Sequence, residues 1–260
     1  MPVTDDLALL IDAAHEAGRL AVPFWNANPE VWDKGDGAGP VTEADLAVDG
    51  YLRDRFATER PTYGWLSEET ADTDARLGKD RVVIVDPVDG TRSFIQGDTN
   101  WAHSLAIVEH GEPIAAVVYL PLRDRLFAAT KGGGATLNGQ AIRVGNCQLP
   151  DGARVLMKKG VLAAEHWQGG PPSFVRKFRP SLAYRLALVA QGRYDAMMTL
   201  RPTWEWDVAA GSLIMEEAGG VVMDRTGARP AFNQPHPAIN GLIAGCDTLS
   251  NAIVSRLAKA

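Results

Sequence analysis

Arg81-Val82-Val83-Ile84-Val85-Asp86-Pro87-Val88-Asp89-Gly90-Thr91 is the stretch on which the reading of this chain turns. The apolar run from Arg81 to Val85 reads as a buried strand. Pro87 biases Asp86 away from the α region, so the strand is expected to end there. Gly90 permits a backbone conformation that other residues avoid. The amides of Gly90, Thr91 and Arg92 then open a short helix, whose N-terminus attracts anions. Two carboxylates three residues apart at a strand end, closed by Gly-Thr, suit a metal-bound phosphate site. Taken alone, the stretch is equally compatible with an Asp-rich turn.

It does not stand alone. Upstream, Trp65-Leu66-Ser67-Glu68-Glu69 is another apolar run ending in paired carboxylates, and Val41-Thr42-Glu43-Ala44-Asp45 follows the glycine-rich stretch from Gly35 to Pro40. Far downstream, Trp204-Glu205-Trp206-Asp207 runs into Val208-Ala209-Ala210-Gly211, and then Glu216-Glu217-Ala218-Gly219-Gly220. In between lies Gly132-Gly133-Gly134-Ala135-Thr136-Leu137-Asn138-Gly139, which looks like a hairpin end. This ordered set resembles the inositol monophosphatase superfamily of magnesium-dependent phosphomonoesterases over nearly the whole chain. The resemblance implies an α/β (α+β, mixed-layer) sugar-phosphatase fold with alternating α-β-α-β-α layers. Its two halves, 1–145 and 146–260, meet near Val144 to Ala153 and are expected to form one integrated unit.

Composition agrees with a soluble enzyme. The chain has 260 residues, 46% hydrophobic and 22% charged, ample for a sizeable core. No apolar run is long enough for a membrane span. Met1 to Asp6 lacks a basic-then-apolar leader, so a cytoplasmic location without membrane association is expected. Cys147 and Cys246 show no metal-site spacing and read as reduced thiols. The net charge of −6 argues against nucleic acid as a partner. It also opposes an anionic substrate unless bound cations intervene.

Asp5 to Phe24 reads as an amphipathic helix ended by Pro23. Glu43 to Phe56 reads as a second helix with Thr42 as its N-cap. Trp32 to Pro40 between them reads as a mobile loop. Ala102 to Val108, Ile114 to Tyr119 and Arg125 to Ala129 form an antiparallel meander. Val155 to Pro180 is poorly patterned. Ser181 to Gln191 and Val208 to Ala218 are apolar helices stopped by glycines. Val221 to Met223 and Leu242 to Ala244 are short strands, and Leu249 to Leu257 closes the chain as a helix. The five histidines are isolated and read as structural or exposed.

By resemblance, Glu68, Asp86, Asp89 and Asp207, with the Val88 carbonyl, are the ligands of two or three Mg²⁺ ions. Magnesium takes oxygen ligands and keeps several waters, so a few carboxylates suffice. Like charges about 4 Å apart cost roughly 4 kcal/mol at an effective dielectric of 20. Four converging carboxylates therefore imply bound metal or raised pKa values. Asp45 and Thr91 look like the pair that orients a nucleophilic water, with Glu69 supporting Glu68. The phosphate is expected on the Gly90 and Thr91 amides, with Arg92 close by. No Cys or Ser sits in a recognisable nucleophile motif, so no covalent intermediate is expected.

The resemblance implies a small phosphate ester as substrate. Inositol-specific members of the superfamily carry a Glu where this chain has Leu200, and an apolar side chain cannot accept ring-hydroxyl hydrogen bonds. Pro202 to Gly211 and Thr226 to Asn233 look more like the 3′(2′),5′-bisphosphate nucleotidases, which convert 3′-phosphoadenosine 5′-phosphate to AMP. Arg185 or Arg229 is then expected to meet the second phosphate. The Ser-Ser-Leu-Lys of many nucleotidases is replaced by Pro180-Ser181-Leu182-Ala183. Inositol monophosphatase and histidinol-phosphate phosphatase activities are the alternatives, and a non-catalytic regulatory binding protein on the same fold is a reading of another class. Homodimerisation and lithium sensitivity are further implications of the resemblance.

Overall fold

Val82 to Val85 form a run of buried apolar residues because their strand has a core on each face. Side chains alternate across a strand. Val83 and Val85 enter one core with Leu10, Ala14, Val48 and Leu52. Val82 and Ile84 enter another with Leu186, Leu213 and Ile214. A sheet covered on both sides lacks the usual apolar–polar alternation. The computed structural model describes residues 2–35 and 39–258.

The strand is the second of seven in a sheet ordered as the chain runs: Gly64–Ser67, Arg81–Asp89, Ala102–Glu109, Glu112–Leu120, Arg125–Thr130, Gly134–Leu137 and Gln140–Ala141. The first pair is parallel and the rest are antiparallel. Helices α1 (Val3–Ala21) and α2 (Glu43–Glu59) cover one face. Thr42 caps α2 as expected, within a reciprocal capping box with Asp45. The short helix α3 (Thr91–Ile95) begins after Gly90, which sits at φ 104°.

The other face carries α4 (Leu182–Ala190) and α5 (Glu205–Glu217). They pack so closely that a Cβ on Gly211 would lie 2.6 Å from a Leu186 methyl carbon. Every residue of α4 is buried, because a second sheet lies beyond it. That sheet is ordered Val175–Lys177, Arg154–Leu156, Ala196–Thr199, Leu242–Gly245, Val221–Met223. Its first three strands are parallel. Leu156, Met197 and Ala244 face α4 and α5. Val155, Met198 and Ile243 face outward, onto Leu249 and Ile253 of α6 (Asp247–Val254). The layers therefore run α-β-α-β-α. No helix among the described residues is long and apolar enough to cross a membrane.

Three local expectations need correction. The strand continues through Pro87 to Asp89, because a bulge sets Asp86 opposite Ser104 and Asp89 opposite Ala102. Proline is tolerated at such a bulge, where ladder pairing lapses. The expected loop Trp32 to Pro40 lies within a two-stranded pairing of Val31–Asp33 with Pro40–Thr42; residues 36–38 lie outside the described residues. The weakly patterned segment after Val155 holds the strand Val175–Lys177. Its three residues are exposed, so no hydrophobic period marks it.

Candidate active site

Around the bulge, Asp86 and Asp89 converge with Asp207 of α5, while the Val88 side chain packs into the core under α1 and α2. Asp86, Asp89 and Asp207 each offer an oxygen, and the three oxygens lie within 4.8 Å of one another. Asp86 and Asp89 are buried. Burial, and then the neighbouring carboxylates, push Asp86 and Asp207 well above the usual carboxylate range. Asp89 is raised to about 6 by burial, although hydrogen bonds from Ser181 and the Ala183 amide pull the other way. Those bonds, 2.6 and 2.7 Å long, end on the same oxygen of Asp89, and the Leu182 amide also bonds this carboxylate. The Val88 amide takes only one oxygen of Asp86, at 2.9 Å. Asp86 is thus fixed through one oxygen and presents a second. Hard oxygen donors packed at this density, without a cation salt-bridged to any of the three among the described residues, fit a divalent metal such as magnesium.

A second group supports these ligands. Asp45 accepts from the Thr42 amide at 2.9 Å and from the Thr42 hydroxyl through one oxygen, and from the Thr91 hydroxyl at 3.1 Å through the other. The residue that closes the capping box of α2 therefore also orients Thr91. The Thr91 hydroxyl lies 3.1 Å from the Val88 carbonyl as well, and its single proton serves one acceptor at a time. Burial raises the Asp45 carboxyl to about 6. Glu69, raised to about 7 by burial, is held with Glu68 by Lys34, whose ammonium lies 2.7 and 2.8 Å from their oxygens. Lys34 reaches them from the short hairpin Val31–Asp33/Pro40–Thr42, whose glycine-rich composition reads as a loop and gives its lysine no sequence signal.

A cleft of about 650 Å³ opens over these groups. Of the residues expected from sequence, Glu68, Asp89, Gly90, Thr91, Arg92, Arg185 and Asp207 line it. Asp45, Glu69, Asp86 and Val88 do not line it, but belong to the same network. Arg229 is placed elsewhere. It pairs with Glu216 and Glu112 at 2.9 and 3.1 Å beside a separate small pocket, where an arginine between two carboxylates is already satisfied. The structure adds Lys158, Arg201 and the exposed Trp204 to the cleft. Trp204 stacks on Trp206 with ring centroids 4.9 Å apart.

His103 is buried behind the site. Its Nδ1 contacts the Pro87 carbonyl and so must carry the proton, while Nε2 has no partner among the described residues. Burial lowers its pKa to about 4. The ring is therefore neutral, and it braces the bulge from the adjacent strand.

The geometry has relatives throughout its length. The model of the inositol monophosphatase family matches residues 4–257. An inositol-1-monophosphatase of Rhizobium meliloti is 36% identical over 233 residues, 85% of this chain and 86% of that protein. The Nus factor SuhB of Escherichia coli K12 is 34% identical over 235 residues, 85% of each chain. Among solved structures, the IMPase of Thermotoga maritima superposes with a TM-score of 0.83 at 28% identity, covering 96% of each chain. The SuhB protein of Bartonella henselae gives 0.82 at 28% identity, over 96% of this chain and 97% of that one. Sheet order, the bulged strand and the acidic triad thus meet an independent match of nearly full length: this chain belongs to the inositol monophosphatase family, and it is a phosphatase, a hydrolase of phosphoric monoesters.

Proposed function

We propose that this protein hydrolyses a small phosphate ester by direct attack of water, with two or three Mg²⁺ ions held by Glu68, Asp86, Asp89, Asp207 and the Val88 carbonyl. The observation that carries the reading is the carboxylate triad, Asp86 and Asp89 buried and Asp207 half-buried, at the edge of an open cleft. Magnesium bound there would supply charge neutralisation and a more acidic water. The protein's own groups do the rest. The Gly90 and Thr91 amides, at the start of α3, receive the phosphate. The Thr91 hydroxyl accepts a hydrogen bond from the attacking water and donates its own proton to the Asp45 carboxylate. Water oxygen bonds to phosphorus, the ester P–O bond breaks, and the departing alkoxide takes a proton from solvent. Lys34 keeps Glu68 and Glu69 in place against their mutual repulsion.

For the substrate we favour a nucleoside bisphosphate, 3′-phosphoadenosine 5′-phosphate being the type, with AMP as the leaving alcohol. Leu200 is buried in an apolar cluster and offers no acceptor to a polyol. Trp204 lines the cleft with its ring 43% exposed, a surface suited to a nucleobase. The names of the relatives from Rhizobium meliloti and Mesorhizobium japonicum, both inositol-1-monophosphatases, support inositol 1-phosphate as the second reading. Homodimerisation, lithium sensitivity and a cytoplasmic location belong to the proposal on family resemblance alone.

Phosphate release with magnesium, measured on 3′-phosphoadenosine 5′-phosphate, inositol 1-phosphate, histidinol phosphate and fructose 1,6-bisphosphate, tests it. We expect kcat/KM to favour the nucleotide by about 100-fold or more, since loss of dedicated polar contacts costs orders of magnitude in selectivity. A preference for inositol 1-phosphate would install the second reading. No turnover of any ester by metal-loaded protein would return the chain to the class of binding modules.

A further inference from the structure

The smaller sheet delivers positive charge to the cleft. Arg154–Leu156 and Ala196–Thr199 run parallel, with Leu156 opposite Met197, so both strands leave the sheet at the same end. Lys158 follows the first and Arg201 the second, and both line the cleft. The third parallel strand, Val175–Lys177, leads into Phe178, another lining residue. The Arg185 guanidinium sits 4.7 Å from the centre of the Phe178 ring. Crevices at the carboxyl ends of parallel strands are the usual ligand sites of open α/β sheets.

These cations lack counter-charges at bonding distance. Among the described residues, Lys158, Arg185 and Arg201 form no salt bridge. Arg185 is 2% exposed, and its only hydrogen bonds among the described residues go to the Arg179 and Pro180 carbonyls. Asp89 and Asp207 act on it only from beyond bonding distance, and a buried guanidinium with no salt bridge is costly unless a further anion arrives. Burial, followed by the charges of Arg201, Arg185 and Arg92, lowers the pKa of Lys158, which places these groups within each other's fields. Every other arginine as buried as Arg185 is paired: Arg76, also 2% exposed, is bonded to Asp72 through two nitrogens.

We propose that Lys158, Arg185 and Arg201 form a second anion subsite, which binds a phosphate group on the leaving portion of the substrate while the reacting phosphate lies on Gly90 and Thr91. The preferred substrate class is therefore the bisphosphates. The inference rests on the phosphatase reading of the cleft and deepens its nucleotide form. It also moves the second-phosphate contact from Arg229 to residues of the smaller sheet.

The test uses two substrate pairs that differ in one phosphate: 3′-phosphoadenosine 5′-phosphate against adenosine 3′-monophosphate, and fructose 1,6-bisphosphate against fructose 1-phosphate. kcat/KM is measured with magnesium for the wild type, Lys158→Ala, Arg201→Ala and the double variant. Both altered residues lie on the cleft surface, so each variant's monophosphate rate controls for folding. In the wild type we expect the bisphosphate to be preferred in at least one pair. In the double variant that preference should fall by about 30-fold, mainly through KM, as loss of charge-assisted hydrogen bonds implies. Equal losses on both members of a pair would overturn the subsite and leave general attraction of anions in its place. The two failures are separable. Preference for the sugar bisphosphate without turnover of either adenosine ester would reject the nucleotide and support the subsite. Turnover of the adenosine esters with no preference in either pair would reject the subsite and keep the phosphatase.

Discussion

The cleft is built from two unlike sides. The larger sheet contributes carboxylates, Glu68, Asp86 and Asp89, each at or just beyond a strand end, and α5 adds Asp207. The smaller sheet and α4 contribute Lys158, Arg201 and Arg185. The acidic side is heavily bonded: Asp89 to Ser181 and the Ala183 amide, Asp86 to the Val88 amide, Asp45 to Thr42 and Thr91. The basic side has almost no bonds of its own. A protein of net charge −6 thus places bare positive charge where it handles an anion. A preorganised, over-bonded array suits the step where charge develops in the transition state. A sparsely bonded array suits reversible binding of a group that does not react.

The most severe way to break this contrast is to remove one acidic ligand. Asp89→Asn should lower magnesium-dependent kcat by about a thousandfold or more, the several kcal/mol that a bound metal supplies. The amide retains an oxygen that can accept from Ser181, so the thermal midpoint and far-UV spectrum should stay close to wild type. Near-wild-type turnover would remove Asp89 from the metal site. Thr91→Ala comes next, with an expected loss of about a hundredfold in kcat at little change in KM. Thr91→Ser should recover most of it, because the hydroxyl rather than the methyl meets Asp45. If serine and alanine behave alike, Thr91 acts only through packing at the start of α3. On the opposite side, Trp204→Ala should raise KM for an adenine-containing ester about tenfold, the scale of one base stacked on one ring, while Trp204→Phe keeps most of the affinity. An unchanged KM would separate the exposed indole from substrate recognition.

The two sides were not equally legible in the sequence. The acidic side could be read because each motif joins chemistry to a local structural signal. Asp86 and Asp89 end an apolar strand run, Asp45 sits three residues past a capping threonine, and Asp207 opens an apolar helix. Even the error at Pro87 was local: the strand did not stop there, because a bulge accommodates the ring. The basic side has no such signal. Lys158, Arg185 and Arg201 lie on three separate elements, and parallel pairing of short strands brings two of them together. Ala196–Thr199, the strand between Arg154–Leu156 and Leu242–Gly245, is four buried residues, Ala-Met-Met-Thr, with no alternation to mark it. Arg229 misled because it lies in a motif-like tail, while its charge is spent on Glu216 and Glu112. Lys34 was hidden by a glycine-rich hairpin that composition presents as a loop. The start of α2 at its Thr42 cap, by contrast, follows from end chemistry, while the layer order was legible only through the family resemblance.

The smallest expected effect concerns protons, and it separates the acidic side from the rest of the molecule. In metal-free protein, Asp45 and Asp89 are raised to about 6 and Glu69 to about 7, chiefly by burial. Their unfolded values are lower, so the native state holds more protons than the unfolded state between the two. Stability from these groups is therefore greatest below the unfolded carboxylate range and is lost as pH rises through 6 to 7. His103 acts in the opposite sense: its native value of about 4 lies below the unfolded one, so it destabilises once pH falls below about 6.5. Between pH 8 and 6.5 the carboxylates act with little opposition, and each extra proton held across a full pH unit adds about 1.4 kcal/mol. The metal-free protein should gain roughly 4 °C in thermal midpoint over that interval. Saturating magnesium should raise the midpoint most at pH 8, since protons and cation compete for the same oxygens. A magnesium-induced shift that does not depend on pH would place the cation away from these carboxylates. A flat metal-free profile would show instead that the acidic side relaxes when empty and admits water to its carboxylates.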